Sequence, residues 1–272
     1  MNFYLNNLIE GIVIMLLRWI RLVWLPFVVV LLTLIAWQLY VDWSGMKKHI
    51  LPSPLDVLHT VVTSFPMMWP HITATMYIAI TGYLLSIGVG LFVAIALHLI
   101  SPLRKALYPL LLISQNIPML TIGPILVIWF GFGILPKIIL IVLMLFFPVT
   151  IAMMGGLMQV DRKLLEYMRM VGATKWQIFW KLELPSALPQ MFSGLKISTT
   201  YSVMGAVISD YLGTEKGLGQ YMKMGLASYR ADRIFAAIIV IVIVSLSLYG
   251  VVALAGRWFT RWDRDKHMTQ DT

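Results

Sequence analysis

Residues 161–189 read DRKLLEYMRMVGATKWQIFWKLELPSALP, the long polar interruption in a chain that otherwise has the texture of a membrane protein. Five basic residues (Arg162, Lys163, Arg169, Lys175, Lys181) and three acids (Asp161, Glu166, Glu183) require water as its solvent. Apolar residues still recur at helical spacing: Leu164, Leu165, Met168 and Val171 before Gly172, then Trp176, Ile178, Phe179, Trp180 and Leu182 after it. The pattern predicts two short amphipathic helices hinged at a glycine. Leu184-Pro185 and Pro189 are expected to stop the second, because proline lacks a backbone donor and restrains the residue before it.

Outward from this stretch the chain is apolar. Of 272 residues 60% are hydrophobic and 12% charged, and mean hydropathy is +0.85, more than a soluble core can bury. An all-α polytopic membrane protein follows. With no cysteine, and with His49, His59, His71, His98 and His267 scattered, neither thiolate nor imidazole metal sites are expected. A net charge of +9 would suggest nucleic acid in a soluble chain; here the basic residues flank apolar spans, so the charge speaks of topology and no nucleic-acid partner is expected.

Six spans are predicted within residues 22–256. Residues 1–21 read as an amphipathic helix on the cytoplasmic surface, an extra span being the alternative. Leu22 to Val41 is the first span. Residues 42–70 form an exposed segment in which LPSP (51–54) is extended and 56–64 a short surface helix. The second span, His71 to Ile100, carries Gly82, Ser86 and Gly90 four apart, letting a neighbouring helix approach closely. The third, about 107–132, holds Ser114, Gln115, Asn116, Pro118, Thr121, Gly123 and Pro124 in its middle, and groups of this kind at that depth must face protein or a water-filled path. The fourth (138–157) follows a tight GFGILPK turn. The fifth (191–212) repeats Gly194, Ser198, Ser202, Ala206 and Asp210 every four residues. Residues 213–233 are polar and exposed, 234–256 form the last span, and 257–272 a charged cytoplasmic tail.

Charge sets the orientation. With the N-terminus inside, Arg18, Arg21, Arg104, Lys105, the five cations of 161–189, Arg257, Arg261, Arg264 and Lys266 are cytoplasmic. Lys47, Lys48, Lys137, Lys216, Lys223, Arg230 and Arg233 are outside. The positive-inside rule favours this arrangement, with both termini and the polar stretch cytoplasmic.

Glu166, then Gly172-Ala173, then Leu184-Pro185 and Pro189, between the fourth and fifth of six spans, resembles the EAA loop in permease subunits of bacterial type I ABC importers. This chain has Glu166-Tyr167-Met168 where the family usually has Glu-Ala-Ala. The likeness extends to LPSP, to IPMLTIGPILVIWFGFG (117–133), to Gly217-Leu218-Gly219 and to Arg233-Ile234-Phe235-Ala236-Ala237. As a set these resemble the branch that imports nitrate, sulfonates, taurine, bicarbonate or the pyrimidine precursor of thiamine. The resemblance implies a type I permease fold in the bacterial inner membrane, working as a homodimer with two cytosolic ATPase subunits and an extracytoplasmic binding protein. It makes residues 161–189 the coupling loop, with Glu166, Tyr167, Met168, Arg169, Gly172, Ala173, Trp176 and Pro185 as ATPase-coupling residues.

The residues support that role independently. An amphipathic helix pair can dock its apolar side in a partner's groove while Glu166 and Arg169, three apart, pair with the partner's charges. Trp176 and Trp180 suit either this docking or packing on the membrane surface. No GxxxxGK[ST] motif occurs, so the chain needs a partner to bind ATP and carries no cofactor of its own. No convergent set of nucleophile, base and ligands marks an enzyme, although a lipid-modifying enzyme or an assembly factor is the reading from another class. Lys196 and Asp210, near opposite ends of the fifth span, read as interfacial. Gln115, Asn116 and Thr121 of the third span with Ser198 and Ser202 of the fifth are the candidate path residues, and close helix packing is the competing role of the small-residue stripe. The scarcity of fixed positive charge in the third to fifth spans, where Lys196 stands near an end, favours a neutral or zwitterionic compound such as a thiamine-precursor pyrimidine over an anion such as nitrate or a sulfonate. Import of nitrate, aliphatic sulfonate, taurine or bicarbonate by the same mechanism is the alternative.

Overall fold

The computed structural model describes residues 24–213 and 215–261; the expected surface helix at 1–21 and residues 262–272 of the tail lie outside them. The described chain is a helical bundle: α1 (Trp24–Ser44), α2 (Pro54–Leu99), α3 (Ser101–Ser114), α4 (Met119–Phe130), α5 (Ile134–Met158), α6 (Arg162–Met170), α7 (Lys175–Ile178), α8 (Leu184–Asp210), α9 (Leu218–Ala227) and α10 (Ala231–Phe259). Among the described residues α1, α2, α5 and α10 are each long and apolar enough to cross a membrane, and α3 with α4 adds a fifth crossing if the pair is one broken span. The other expected span, α8, is 27 residues long but more polar.

The segment between the first two spans departs from expectation. Instead of an extended stretch, a short surface helix and a second span, one 46-residue helix starts at Pro54 and runs to Leu99, about 69 Å at 1.5 Å per residue. Ser53 caps it, its hydroxyl accepting from Asp56 N at 3.2 Å, and Pro54 fits the first turn, where its missing donor costs nothing. Pro66 and Pro70 do not end it. Both prolines, and the positions four before them whose carbonyls they leave free (Val62 and Pro66), are exposed, so solvent can take the lost bonds.

The third span breaks at its polar centre. α3 and α4 meet at 100° across Gln115–Pro118, and local side chains add to the backbone bonds on either side of the break: Asn116 Nδ2 donates to Ile113 O (3.1 Å) and Thr121 Oγ1 to Pro118 O (2.7 Å). In the following GFG turn Gly131 (φ +76°) and Gly133 (φ +150°) adopt conformations that disfavour a Cβ.

α2, α5 and α8 form the centre. Close approach uses the expected glycines: a Cβ added at Gly82 would lie 2.6 Å from Ile141 Cγ2, and one at Gly90 2.7 Å from Val149 Cγ1, both across the α2–α5 contact. On α8 the small stripe packs inward, with Ser198, Ser202, Ala206 and Asp210 fully buried and Gly194 against Ala152 of α5.

Candidate functional site: coupling segment and path

The α5–α8 connection folds as the helix, glycine, helix pattern predicts. Asp161 caps α6, accepting from Lys163 N at 2.8 Å. Gly172 takes φ +78° at the turn. Thr174 and Gln177 form a reciprocal capping box on α7. Leu164, Tyr167 and Val171 are exposed on one side of α6, and Glu166 and Arg169 on another. Met168 and Ala173 are half-buried, and Trp176 is 60% exposed.

α7 does not stop at Pro185. It passes through a π-helical turn, Phe179–Glu183, directly into α8, so Pro185 occupies the first turn of a long helix. The proline ring and its missing donor fall directly after the widened turn, so the helix passes them without ending. Phe179, 1% exposed, plugs into a cluster with Ala94, Leu97, Met153, Met154 and Ala187, and Glu183 Oε2 meets His98 Nε2 of α2 at 2.8 Å. The segment therefore shows an amphipathic surface outward and is pinned at its base to α2, α5 and α8.

The candidate path residues fall into two places. Gln115, Asn116 and Thr121 are exposed at the break. Gln115 lines a cavity of 520 Å³ with Met119, Met144, Phe147, Tyr201 and Ile208, placing the break against α5 and α8. Ser198 and Ser202 have no exposed surface. The opposite face of α8 is open instead: Gln190, Ser193, Ile197, Thr200, Tyr201 and Met204 are all exposed at helical spacing. Along α10 the exposed Ile238, Val242, Ile243, Leu246, Val251 and Leu254 are by contrast apolar, interrupted by Ser247 and Tyr249 and followed by Arg257. The polar positions on α8 recur at a readable period, but the stronger small-residue repeat on the other face masks them.

At the end away from α6, a charged cavity of 430 Å³ is bordered by Lys48, Asp56, His59, Tyr229, Arg230 and Asp232. The hydrogen bond from Lys48 holds the Asp56 carboxyl below its usual range. For Asp232 burial pushes upward, but hydrogen bonds from Arg230 and Thr60 outweigh it and hold that carboxyl low as well.

Two residues read as surface charges are corrected here. Lys137, placed outside, and Asp210, placed at an interface, are buried together: Lys137 Nζ lies 2.6 Å from Asp210 Oδ1, with side-chain exposures of 3% and 0%. Each neutralises the other, and their separation of 73 residues hides the pairing from sequence. Among the described residues no cluster could hold a metal ion.

Residues 86–262 match the family described as binding-protein-dependent transport system inner membrane component. The chain belongs to this family. The permease is 33% identical over 231 residues to a formylaminopyrimidine transport permease of Halalkalibacterium halodurans, a match covering 85% of this chain and 90% of that one. It is 31% identical to a riboflavin transport system permease of Chloroflexus aurantiacus (87% and 89% covered). To a taurine transport system permease of Escherichia coli it is 30% identical, with 86% of each covered. Its fold is that of type I ABC importer permeases. An inward-facing methionine ABC transporter superposes with a TM-score of 0.63 at 22% identity, over 72% of this chain and 98% of that one. A bacterial ABC transporter for the acidic polysaccharide alginate gives 0.60 at 19% identity, over 90% and 99%. The protein is thus a multi-pass inner membrane permease of an ABC importer and not an enzyme.

Proposed function

We propose that this permease imports a thiamine-precursor pyrimidine of the formylaminopyrimidine kind, driven by a cytosolic ATPase docked on α6 and α7. The observation that carries the substrate is the likeness to the formylaminopyrimidine permease over nine-tenths of that protein. The α8 face supports it: Gln190, Ser193, Thr200 and Tyr201 offer neutral donors and acceptors, as a polar heterocycle needs, with Lys196 half-buried beside them. Net anions such as nitrate, sulfonates or bicarbonate would be better served by more fixed positive charge along this face than Lys196 supplies.

In this reading both termini and α6–α7 are cytoplasmic, and two copies of the chain enclose the path. Gln115, Asn116 and Thr121 border it together with the exposed α8 face. Ser198 and Ser202 act on it through the packing of α8. A binding protein docks at the opposite end, over the N-terminal part of α2 and the α8–α10 connection. ATP-driven closure of the ATPases brings the two coupling segments together. Because Phe179 and Glu183 join each segment to its bundle, α5 and α8 move with it and the path opens outward.

Reconstitution of the permease with its ATPase and binding protein in liposomes tests this. Formylaminopyrimidine should stimulate ATP hydrolysis and be taken up; stimulation by taurine in its place would overturn the substrate. Glu166→Lys should leave the permease folded and inserted while ATPase capture on the purified permease weakens by about tenfold or more. Normal capture would remove Glu166 from the interface. Asn116→Trp should block uptake without loss of the assembled complex, and unimpaired uptake would take the break out of the path.

A further inference from the structure

The buried Asp210 carboxylate is the meeting point of four helices. It ends α8. Lys137 of α5 holds Oδ1 at 2.6 Å, and Thr75 of α2 donates to Oδ2 at 2.7 Å. Thr75 Oγ1 in turn accepts from Leu218 N, the first residue of α9, at 2.7 Å. Gly219 N lies 3.4 Å from Asp210 Oδ2. A side chain at Gly217 would run into the same carboxylate, and His71 Nδ1 is 2.9 Å from Gly217 O. The Gly217-Leu218-Gly219 turn is thus shaped to wrap this group.

Burying an ion pair carries a desolvation cost that a pair of well-packed apolar residues would avoid, so stability alone does not call for it. What the Asp210 carboxylate does is join the tip of α8 to α5 through Lys137, to α2 through Thr75, and to the start of α9 through Gly219 N and the Thr75–Leu218 contact. α8 is a single helix of 27 residues, about 40 Å long at 1.5 Å per residue, and its other end continues into the coupling segment through the π-turn. One continuous helix, with Pro189 near its base, therefore has the proposed ATPase contact at that end and the Asp210 cluster at its tip.

We propose that the Asp210–Lys137–Thr75 cluster is a positioning device that transmits the displacement of α8 to α9 and the turn before it. In this way the state of the ATPase sets how the outer face receives the binding protein. The inference rests on the importer reading above. Coupling between two sites is reciprocal, so docking of the binding protein must act back on the ATPase through the same cluster. Thr75 is the informative position, because its hydroxyl bridges Asp210 and Leu218 without carrying charge.

The test compares Thr75→Val, Thr75→Ser and wild type in the reconstituted permease–ATPase complex. ATP hydrolysis is measured alone and with saturating binding protein loaded with formylaminopyrimidine, alongside thermal melting. Thr75→Val should keep its basal rate and melt near wild type yet lose about fivefold or more of the stimulation, and Thr75→Ser should restore it. An unchanged ratio of stimulated to basal rate overturns the proposal, as does an equal fall in both rates. If Thr75→Val does not fold, the double variant Lys137→Met/Asp210→Leu, which keeps the volume and removes the charges, must show the same selective loss, and retained stimulation in it overturns the proposal. Absence of stimulation in wild type is a different result, and it overturns the substrate proposed above.

Discussion

Phe179→Ala should cost the permease about 3–5 kcal/mol of stability and disconnect the coupling segment from the bundle. The ring is 1% exposed and sits among Ala94, Leu97, Met153, Met154 and Ala187, residues of α2, α5 and α8. These neighbours stand on three helices packed against one another, which cannot close up by the volume of a phenyl ring, so most of the cavity term persists. Thermal unfolding of the purified permease reads the first effect. The second appears as ATP hydrolysis that no longer responds to the binding protein even where the ATPase still binds. Tyr167→Ala is the control: at 61% exposure its loss should move stability by less than about 0.5 kcal/mol. If the two variants melt alike, Phe179 is not the anchor that its burial implies.

Gly156→Leu is expected to be as damaging for the opposite reason. A Cβ at Gly156 would stand 2.8 Å from both Cα and O of Ala187, and these backbone atoms of α8 cannot rotate aside. Overpacking of this kind typically costs 1–3 kcal/mol, and with backbone as the obstacle we expect more than about 3 kcal/mol, seen as loss of monodisperse protein after membrane extraction. Gly88→Leu, where nothing lies within 4 Å of an added Cβ, should melt at or above the wild-type temperature, since leucine is the better helix former by up to about 1 kcal/mol. A well-folded Gly156→Leu protein would show that α5 and α8 do not need this contact.

Features written in short-range chemistry were legible before any coordinates. The turn at Gly172 and the small-residue contacts at Gly82 and Gly90 each follow from local backbone or packing rules; the polar centre of the third span was legible, but its 100° break at Gln115–Pro118 was not. The unbroken course of α2 was not, because Pro66 and Pro70 signal a stop that exposed positions on a protruding helix do not enforce. The Asp210–Lys137 pair was hidden by sequence distance, which let two ions that cancel each other pass for surface charges. On α8 the periodic small residues led to Ser198 and Ser202, which the fold buries, while the fainter row from Gln190 to Met204 faces outward. For Glu166, Tyr167 and Arg169 the sequence could supply an exposed amphipathic helix, but a helix's own residues do not describe the groove that receives it.

The turn from Phe179 to Glu183 closes with Leu184 N donating to Phe179 O, one residue wider than an α-helical turn. In an α-helix one residue is worth a rotation of about 100°. The bearing of the outward surface of α6 and α7 relative to α8 is therefore fixed by a count of residues as well as by their identity. A coupling segment grafted from a relative without the widened turn would arrive with suitable side chains aimed about a quarter-turn away. If the ATPase docks on α6 and α7 as proposed, interchange of ATPases between such transporters would follow spacing more closely than surface likeness.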